Sequence, residues 1–168
     1  LTGGIGNDTL NGGLGNDRLV GGDGIDTAVF SSRANRINLG LTSRQNTRDG
    51  NDILIGIENV NGGGGNDIIT GNSSANTLNG GNGNDTLNGG LGNDRLVGGD
   101  GIDRLTGGIG NDTLIGGAGN DIFQINSGVG RDIISDYTSG EDRIKLLGGL
   151  AENDLTFSHV GGHTRVKY

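Results

Sequence analysis

From Gly80 to Thr106 the chain reads GGNGNDTLN, GGLGNDRLV, GGDGIDRLT, three nonapeptides in which glycine, aspartate and an apolar residue keep fixed columns. The phase extends outward on both sides. GGGGNDIIT begins at Gly62 and GNSSANTLN at Gly71, while GGIGNDTLI begins at Gly107 and GGAGNDIFQ ends at Gln124. An earlier block, GGIGNDTLN, GGLGNDRLV, GGDGIDTAV, fills residues 3–29. The aspartate column is Asp8, Asp17 and Asp26, then Asp67, Asn76, Asp85, Asp94, Asp103, Asp112 and Asp121. Two residues further on stand Leu10, Leu19, Ala28, Ile69, Leu78, Leu87, Leu96, Leu105, Leu114 and Phe123, apolar without exception. A linker has no reason to keep such columns, and a fixed short period is the mark of a solenoid. Residues 6–26 recur identically at 83–103, so whole units have been duplicated.

Composition sets the energetic problem. With 39 glycines and 30% hydrophobic residues in 168, the chain has little material for an ordinary core and a large backbone entropy to overcome. It has no cysteine, so no disulfide can staple it. A metal is the remaining device. The net charge of −8 disfavours nucleic acid and points to cations. No apolar run is long enough to span a membrane, and the start carries no signal-peptide pattern. Without an initiator Met, the chain reads as a piece of something longer.

The spacing predicts an all-β fold. Each unit is expected to place GGxGxD in a loop and the next three residues in a short strand whose middle side chain points inward. Two units make one coil, so strands stack about 4.8 Å apart into two parallel sheets with the leucines between them. Aspartates 18 residues apart then lie above one another: Asp67, Asp85, Asp103 and Asp121 in one row, Asn76, Asp94 and Asp112 in the other. At an effective dielectric near 20, two carboxylates about 5 Å apart repel by roughly 3 kcal/mol. Ca²⁺ reverses that penalty, because it seeks six to eight oxygens and the loops offer carboxylates and bare carbonyls. The expected donors are the side chains of Asp8, Asp17, Asp26, Asp67, Asp85, Asp94, Asp103, Asp112 and Asp121. Carbonyls of Gly3, Gly12, Gly21, Gly62, Gly80, Gly89, Gly98, Gly107 and Gly116 would join them. Several ions are expected. Zinc fits poorly, with no cysteine and only His159 and His163.

The pattern GGxGxDxUx, as in GGLGNDRLV at Gly12–Val20, resembles the RTX (repeats-in-toxin, hemolysin-type) calcium-binding family. The resemblance implies a parallel β-roll, a right-handed β-solenoid, with Ca²⁺ between the loops of successive coils. It also implies export through type I secretion machinery, a secreted, extracellular location and folding on meeting external calcium. The GNSSANTLN unit departs from the pattern by Asn76 and by two lost glycines, and sites sharing that loop are expected to be weak or empty.

Four regions are expected: repeat blocks at 1–29 and 53–124, an inserted or degenerate coil at 30–52, and a C-terminal β cap at 125–168. The two blocks are out of phase. Within ILIGIENVN, Glu58 falls in the aspartate column. In the insert, RINLGLTSRQ alternates with Ile37, Leu39 and Leu41 on one face, and NTRDGND reads as a turn. The cap reads as strands in DIISDY, EDRIKLL, LTFSHV and HTRVKY, the last two a hairpin about Gly161 and Gly162, and the final strand at Tyr168 is expected to be incomplete. Asp132, Asp136 and Asp142 are candidates for a last calcium site. Asp23 and Asp100 are expected to be solvated, and the Thr/Arg column to face outward. No HExxH or GxSxG motif is present and no catalytic residue is assigned, so the chain is expected not to be an enzyme. The alternative reading is an extracellular binding module for a polysaccharide or cell surface, using Arg18, Arg95 and Arg104.

Overall fold

The computed structural model describes residues 1–126, 130–151, 156–160 and 163–167, and is all-β among them. Gly161, Gly162 and Tyr168 lie outside the described residues. Among the described residues no helix is long and apolar enough to cross a membrane.

Successive strands alternate between two sides of one core, as a nine-residue half-coil requires. One side is a nine-stranded sheet, running from Thr9–Leu10 and Thr27–Val29 through Asn59–Gly64, Thr77–Asn82, Arg95–Asp100 and Thr113–Ala118 to Arg131–Ile134. The other carries a six-stranded sheet that includes Ile68–Thr70, Thr86–Leu91, Arg104–Ile109 and Ile122–Ile125, and a four-stranded sheet that includes Thr2–Ile5 and Arg18–Asp23. The repeats pair in parallel at a spacing of one coil, Leu78 with Leu96 and Leu96 with Leu114, and Leu87 with Leu105 and Leu105 with Phe123. This is a parallel β-roll. All ten residues of the apolar column are buried, from Leu10 at 4% exposed to Phe123 at 0%. Fully burying such a side chain is worth about 1.5–3 kcal/mol, so this column, with Ile37, Leu54, Val60, Ile125 and Ile134 beside it, supplies the hydrophobic stabilisation of the roll.

The strands are longer than the three residues expected. Most repeat strands span six, because the first three residues of each loop join the ladder: Gly81 pairs with Gly99 and Asn82 with Asp100. The second glycine makes this possible. Gly99 has φ +116, and a Cβ there would lie 2.0 Å from the carbonyl oxygen of Gly81. Only glycine allows both that conformation and that approach.

The insert begins in phase and then departs from it. Arg36–Asn38 follows Thr27–Val29 at the ordinary distance and pairs with Ile68–Thr70, so residues 30–38 are a degenerate nonapeptide. Ile37 and Leu39 are buried, but Leu41 is 41% exposed. The expected alternation stops because the Asn38 side chain accepts a hydrogen bond from Gly40 N–H and the backbone turns there. Gln45–Asn46 then runs antiparallel to Asn51–Ile55, which pairs in parallel with Arg18–Asp23. The reversal lies at Thr47–Gly50, where Arg48 is the one non-glycine residue with positive φ among the described residues. Gly50-Asn51-Asp52 leads into the strand instead of ending the turn.

At the C-terminal end the nonapeptide period stops at Gln124, but the stacking does not. Arg131–Ile134 pairs in parallel with Thr113–Ala118, and Arg143–Leu146 with Ile122–Ile125. The antiparallel hairpin of Thr156–Val160 and His163–Lys167 supplies the last two of the nine strands, His163–Lys167 covering the edge at Arg131–Ile134. Covering it removes a row of unpaired backbone groups. Asp23, Asp100 and the arginines Arg18, Arg95 and Arg104 are exposed. Those arginines do not share a face, however: Arg95 lies in the nine-stranded sheet, and Arg18 and Arg104 lie in sheets on the other side.

Candidate metal centre

Each aspartate of the columns sits at the last loop position, where the chain enters a strand, and its two oxygens have different surroundings. The Oδ1 atom accepts a backbone N–H from the residue one coil earlier: Asp67 N–H to Asp85 at 2.7 Å, Asp85 to Asp103 at 2.7 Å, Asp94 to Asp112 at 2.8 Å and Asp103 to Asp121 at 2.9 Å. The two rows of aspartates are thereby stacked one coil apart. Where an asparagine precedes the aspartate it can tie the loops in the other sense: Asn84 Oδ1 accepts Ile102 N–H and Asn93 Oδ1 accepts Asn111 N–H.

The Oδ2 atoms have no such partner. In Asp8, Asp17, Asp26, Asp67, Asp85, Asp94, Asp103, Asp112 and Asp121, Oδ2 is buried and accepts no hydrogen bond. These are the nine aspartates of the sequence columns. Each Oδ2 faces the first glycine of its own loop. A Cβ on Gly98 would lie 2.2 Å from Asp103 Oδ2 and 2.5 Å from the carbonyl oxygen of Gly116, one coil on. The same holds at Gly89, with Asp94 Oδ2 at 2.3 Å and the Gly107 carbonyl at 2.5 Å, and at Gly3, with Asp8 Oδ2 at 2.5 Å and the Gly21 carbonyl at 2.7 Å. Gly12, Gly21, Gly62, Gly80, Gly107 and Gly116 face Asp17, Asp26, Asp67, Asp85, Asp112 and Asp121 in the same way. At Gly3, Gly21, Gly62, Gly89 and Gly98 the missing side chain leaves room where carboxylate and carbonyl oxygens converge.

No cationic side chain answers these acids. The only ion pair among the described residues joins Arg33 and Asp49, at 4.0 Å. A buried carboxylate without a partner is costly, and the group responds by holding its proton. Burial pushes the carboxyls of Asp67 and Asp103 up to about 7 and that of Asp94 to about 6, against the pull of the backbone N–H bonds, with neighbouring aspartates adding to the rise. Asp85, Asp112 and Asp121 are raised with burial again the leading cause. The donor set fits a hard cation with oxygen ligands. Among the described residues no three acid, imidazole or thiol side chains cluster on one point, so any such ion must draw on backbone carbonyls as well.

Two column members and one neighbouring acid escaped the sequence reading. Asp52 Oδ1 accepts Asp17 N–H at 2.8 Å, and its Oδ2 accepts the Thr47 hydroxyl. Asn35 donates its N–H to Asp67 Oδ1. Asp49, just outside the column, accepts from Ser31 N–H and the Ser31 hydroxyl. The signal for Asp52 was present in GNDIL at Gly50–Leu54, the same order as GNDII at Gly65–Ile69, but the broken phase hid it. Glu58 does occupy the column, with Oε2 accepting Asp26 N–H at 2.9 Å. Its longer side chain bridges a loop from Asp52 that is three residues short.

In the cap, Asp132 Oδ1 accepts Asp112 N–H at 3.1 Å and Asp142 Oδ1 accepts Asp121 N–H at 2.9 Å, so both continue the rows. Asp142 Oδ2 also accepts Thr138 N–H. Asp136 stands apart, with its two oxygens on the N–H groups of Gly116 and Gly117.

A parallel roll whose loops carry stacked aspartates over bare glycine carbonyls is an ion-binding solenoid in design. The chain belongs to the RTX calcium-binding nonapeptide repeat family, whose model matches four times, over residues 1–28, 61–96, 88–123 and 97–134. It is thus a Ca²⁺-binding β-roll module, a structural calcium-binding repeat. The matches stop at 28 and resume at 61, which brackets the insert and the shortened Glu58 loop. No curated protein matches the chain.

Proposed function

We propose that calcium is the folding trigger of this roll, and that the roll serves the type I secretion and stability of a larger extracellular protein. The observation that carries this is the set of nine buried, unpartnered carboxylate oxygens. Without a cation they hold the loops apart or must be protonated. With Ca²⁺ bound to Oδ2 and the first-glycine carbonyls, the same atoms draw successive coils together. Magnesium is a poor substitute, since it keeps its waters and demands octahedral geometry that carbonyl-lined loops do not impose. Extracellular modules bind calcium with dissociation constants of about 10⁻⁴ to 10⁻³ M, so the chain stays unfolded at low internal calcium and folds outside. No catalysis is assigned to it.

A far-ultraviolet circular dichroism titration from chelator to 10 mM calcium, with magnesium as control, tests the reading. A cooperative coil-to-β change with calcium alone is expected. A full β spectrum in chelator at neutral pH would overturn it.

A second reading, a surface for a polysaccharide or cell surface, has one observation in its favour. An open depression on the six-stranded sheet combines the polar Asn88 and Thr106 with the exposed aliphatic Leu91 and Ile109. Loss of glycan binding in Asn88→Ala/Thr106→Ala, with calcium-dependent folding intact, is the expected result.

A further inference from the structure

We infer that the two asparagines of the aspartate columns, Asn35 and Asn76, close their own loops with side-chain amides. The ion ladder is interrupted at both, and the band between them holds together without metal. This rests on the calcium reading above and specifies where along the roll it applies.

In a complete unit the second loop position is a glycine with positive φ, +107 at Gly81 and +105 at Gly90. In the two asparagine units that position is Ser31 or Asn72, and neither takes positive φ. The altered backbone changes what the column residue meets. Asn76 Oδ1 lies 2.5 Å from the Cβ position of Gly71, the place Oδ2 takes beside the first glycine of a complete unit. There it accepts Asn72 N–H at 2.9 Å, while its Nδ2 donates to the Glu58 carbonyl at 2.8 Å. Both ends of Asn76 are satisfied, and it is not among the orphaned atoms.

Asn35 does the same with a different set. Its Nδ2 donates to the carbonyls of Arg33, at 2.7 Å, and Gly62, at 3.2 Å. Gly62 is the first-position glycine of the facing loop, so a neutral N–H group stands among carbonyls where a complete coil would present them to an ion. Asn35 Oδ1 remains buried without a donor, but it is uncharged. Loss of the column carboxylate therefore accompanies loss of the second glycine in both units.

The acids between them are mostly closed by protein donors. Asp49 is held by Ser31 and Asp52 by Asp17 and Thr47, and Glu58 Oε2 accepts Asp26 N–H. From Ser31 to Asn76 only Asp67 keeps a buried carboxylate oxygen without a donor. The demand for ions concentrates in two flanking blocks, Asp8 to Asp26 and Asp85 to Asp121.

Hydrogen exchange of the whole chain in chelator, read by peptide, tests this. Amides of 30–38 and 71–79 are expected to exchange at least about tenfold more slowly than those of 80–124. The unit restored to pattern by Asn72→Gly, Ser74→Gly and Asn76→Asp is expected to lose that protection in chelator. In equilibrium dialysis it should bind at least one more calcium ion than the wild type. Uniform exchange along the wild-type chain in chelator, or no added ion in the restored variant, would overturn the inference while leaving the calcium reading in place. A wild type that binds no calcium would sink both.

Discussion

At the scale of a residue, each column aspartate from Asp26 onward does two jobs with two oxygens, and the jobs respond oppositely to metal. Oδ1 serves the backbone with or without an ion, whereas Oδ2 is a liability until one arrives. In Asp103→Asn the orphaned charge disappears but the backbone contact can remain. In chelator that variant should therefore show more β content than wild type by circular dichroism, and in calcium urea unfolding should show it less stable by about 1–3 kcal/mol. The acidity of these groups makes a related prediction. The folded-state carboxyls of Asp67, Asp94 and Asp103 titrate near 6 to 7, above the ordinary 3.8, so the metal-free fold binds protons that the unfolded chain releases. That stabilisation is complete below about pH 3.8 and is lost as pH rises through 7. Circular dichroism in chelator should show β structure increasing as pH is lowered from 7.5 toward 4; a flat or opposite trend would contradict the burial of uncompensated carboxyls. The first-position glycine is as constrained as the acid, because Gly98→Ala drives a Cβ to 2.2 Å from Asp103 Oδ2. Calcium affinity measured by calorimetry should fall at least about tenfold, since the added methyl occupies the space where the oxygens converge.

At the scale of the element, a strand of this roll is too short to be stable alone and is defined by its neighbours. Its one fully inward side chain carries the hydrophobic share, so Leu96→Ala, at a position 0% exposed, should cost about 2–5 kcal/mol in calcium-loaded unfolding. What was legible beforehand follows from this. The nonapeptide phase placed the buried leucines, the stacked aspartate rows and the solvated Thr/Arg column, because a repeat puts the same residue in the same surroundings every time. The length of the strands was not legible, since glycine is read as loop while Gly81 and Gly99 here pair across a ladder. Nor was the route of the insert. Asn35 and Asp52 belong to the rows, but one is disguised by its residue type and the other by a chain excursion that adds Gln45–Asn46 to one side alone. The three arginines were grouped by column, a grouping that ignores the alternation of successive units between the two sides.

At the scale of the whole molecule, nearly every tie among the described residues runs to the next coil, so the roll behaves as a one-dimensional stack. Stability in such a stack is a sum of unit and neighbour terms, and ions bound only by the folded form add to it by mass action. The expected calcium dependence is steep in the flanking blocks and shallow in the central band. The hairpin that pairs with Arg131–Ile134 stops the stack at one end by covering its edge with antiparallel strands.

The alternation of units between two sheets has a consequence for length variation. Parity governs it. Adding or removing eighteen residues returns every later side chain to the sheet it left, and all contacts downstream are preserved. A nine-residue change keeps the repeat just as perfect to the eye, yet it transposes the surface: Arg95 would move to the side now held by Arg104, and the hairpin would meet the wrong sheet. Odd and even deletions of equal repeat quality should thus differ sharply in whether the C-terminal end still closes.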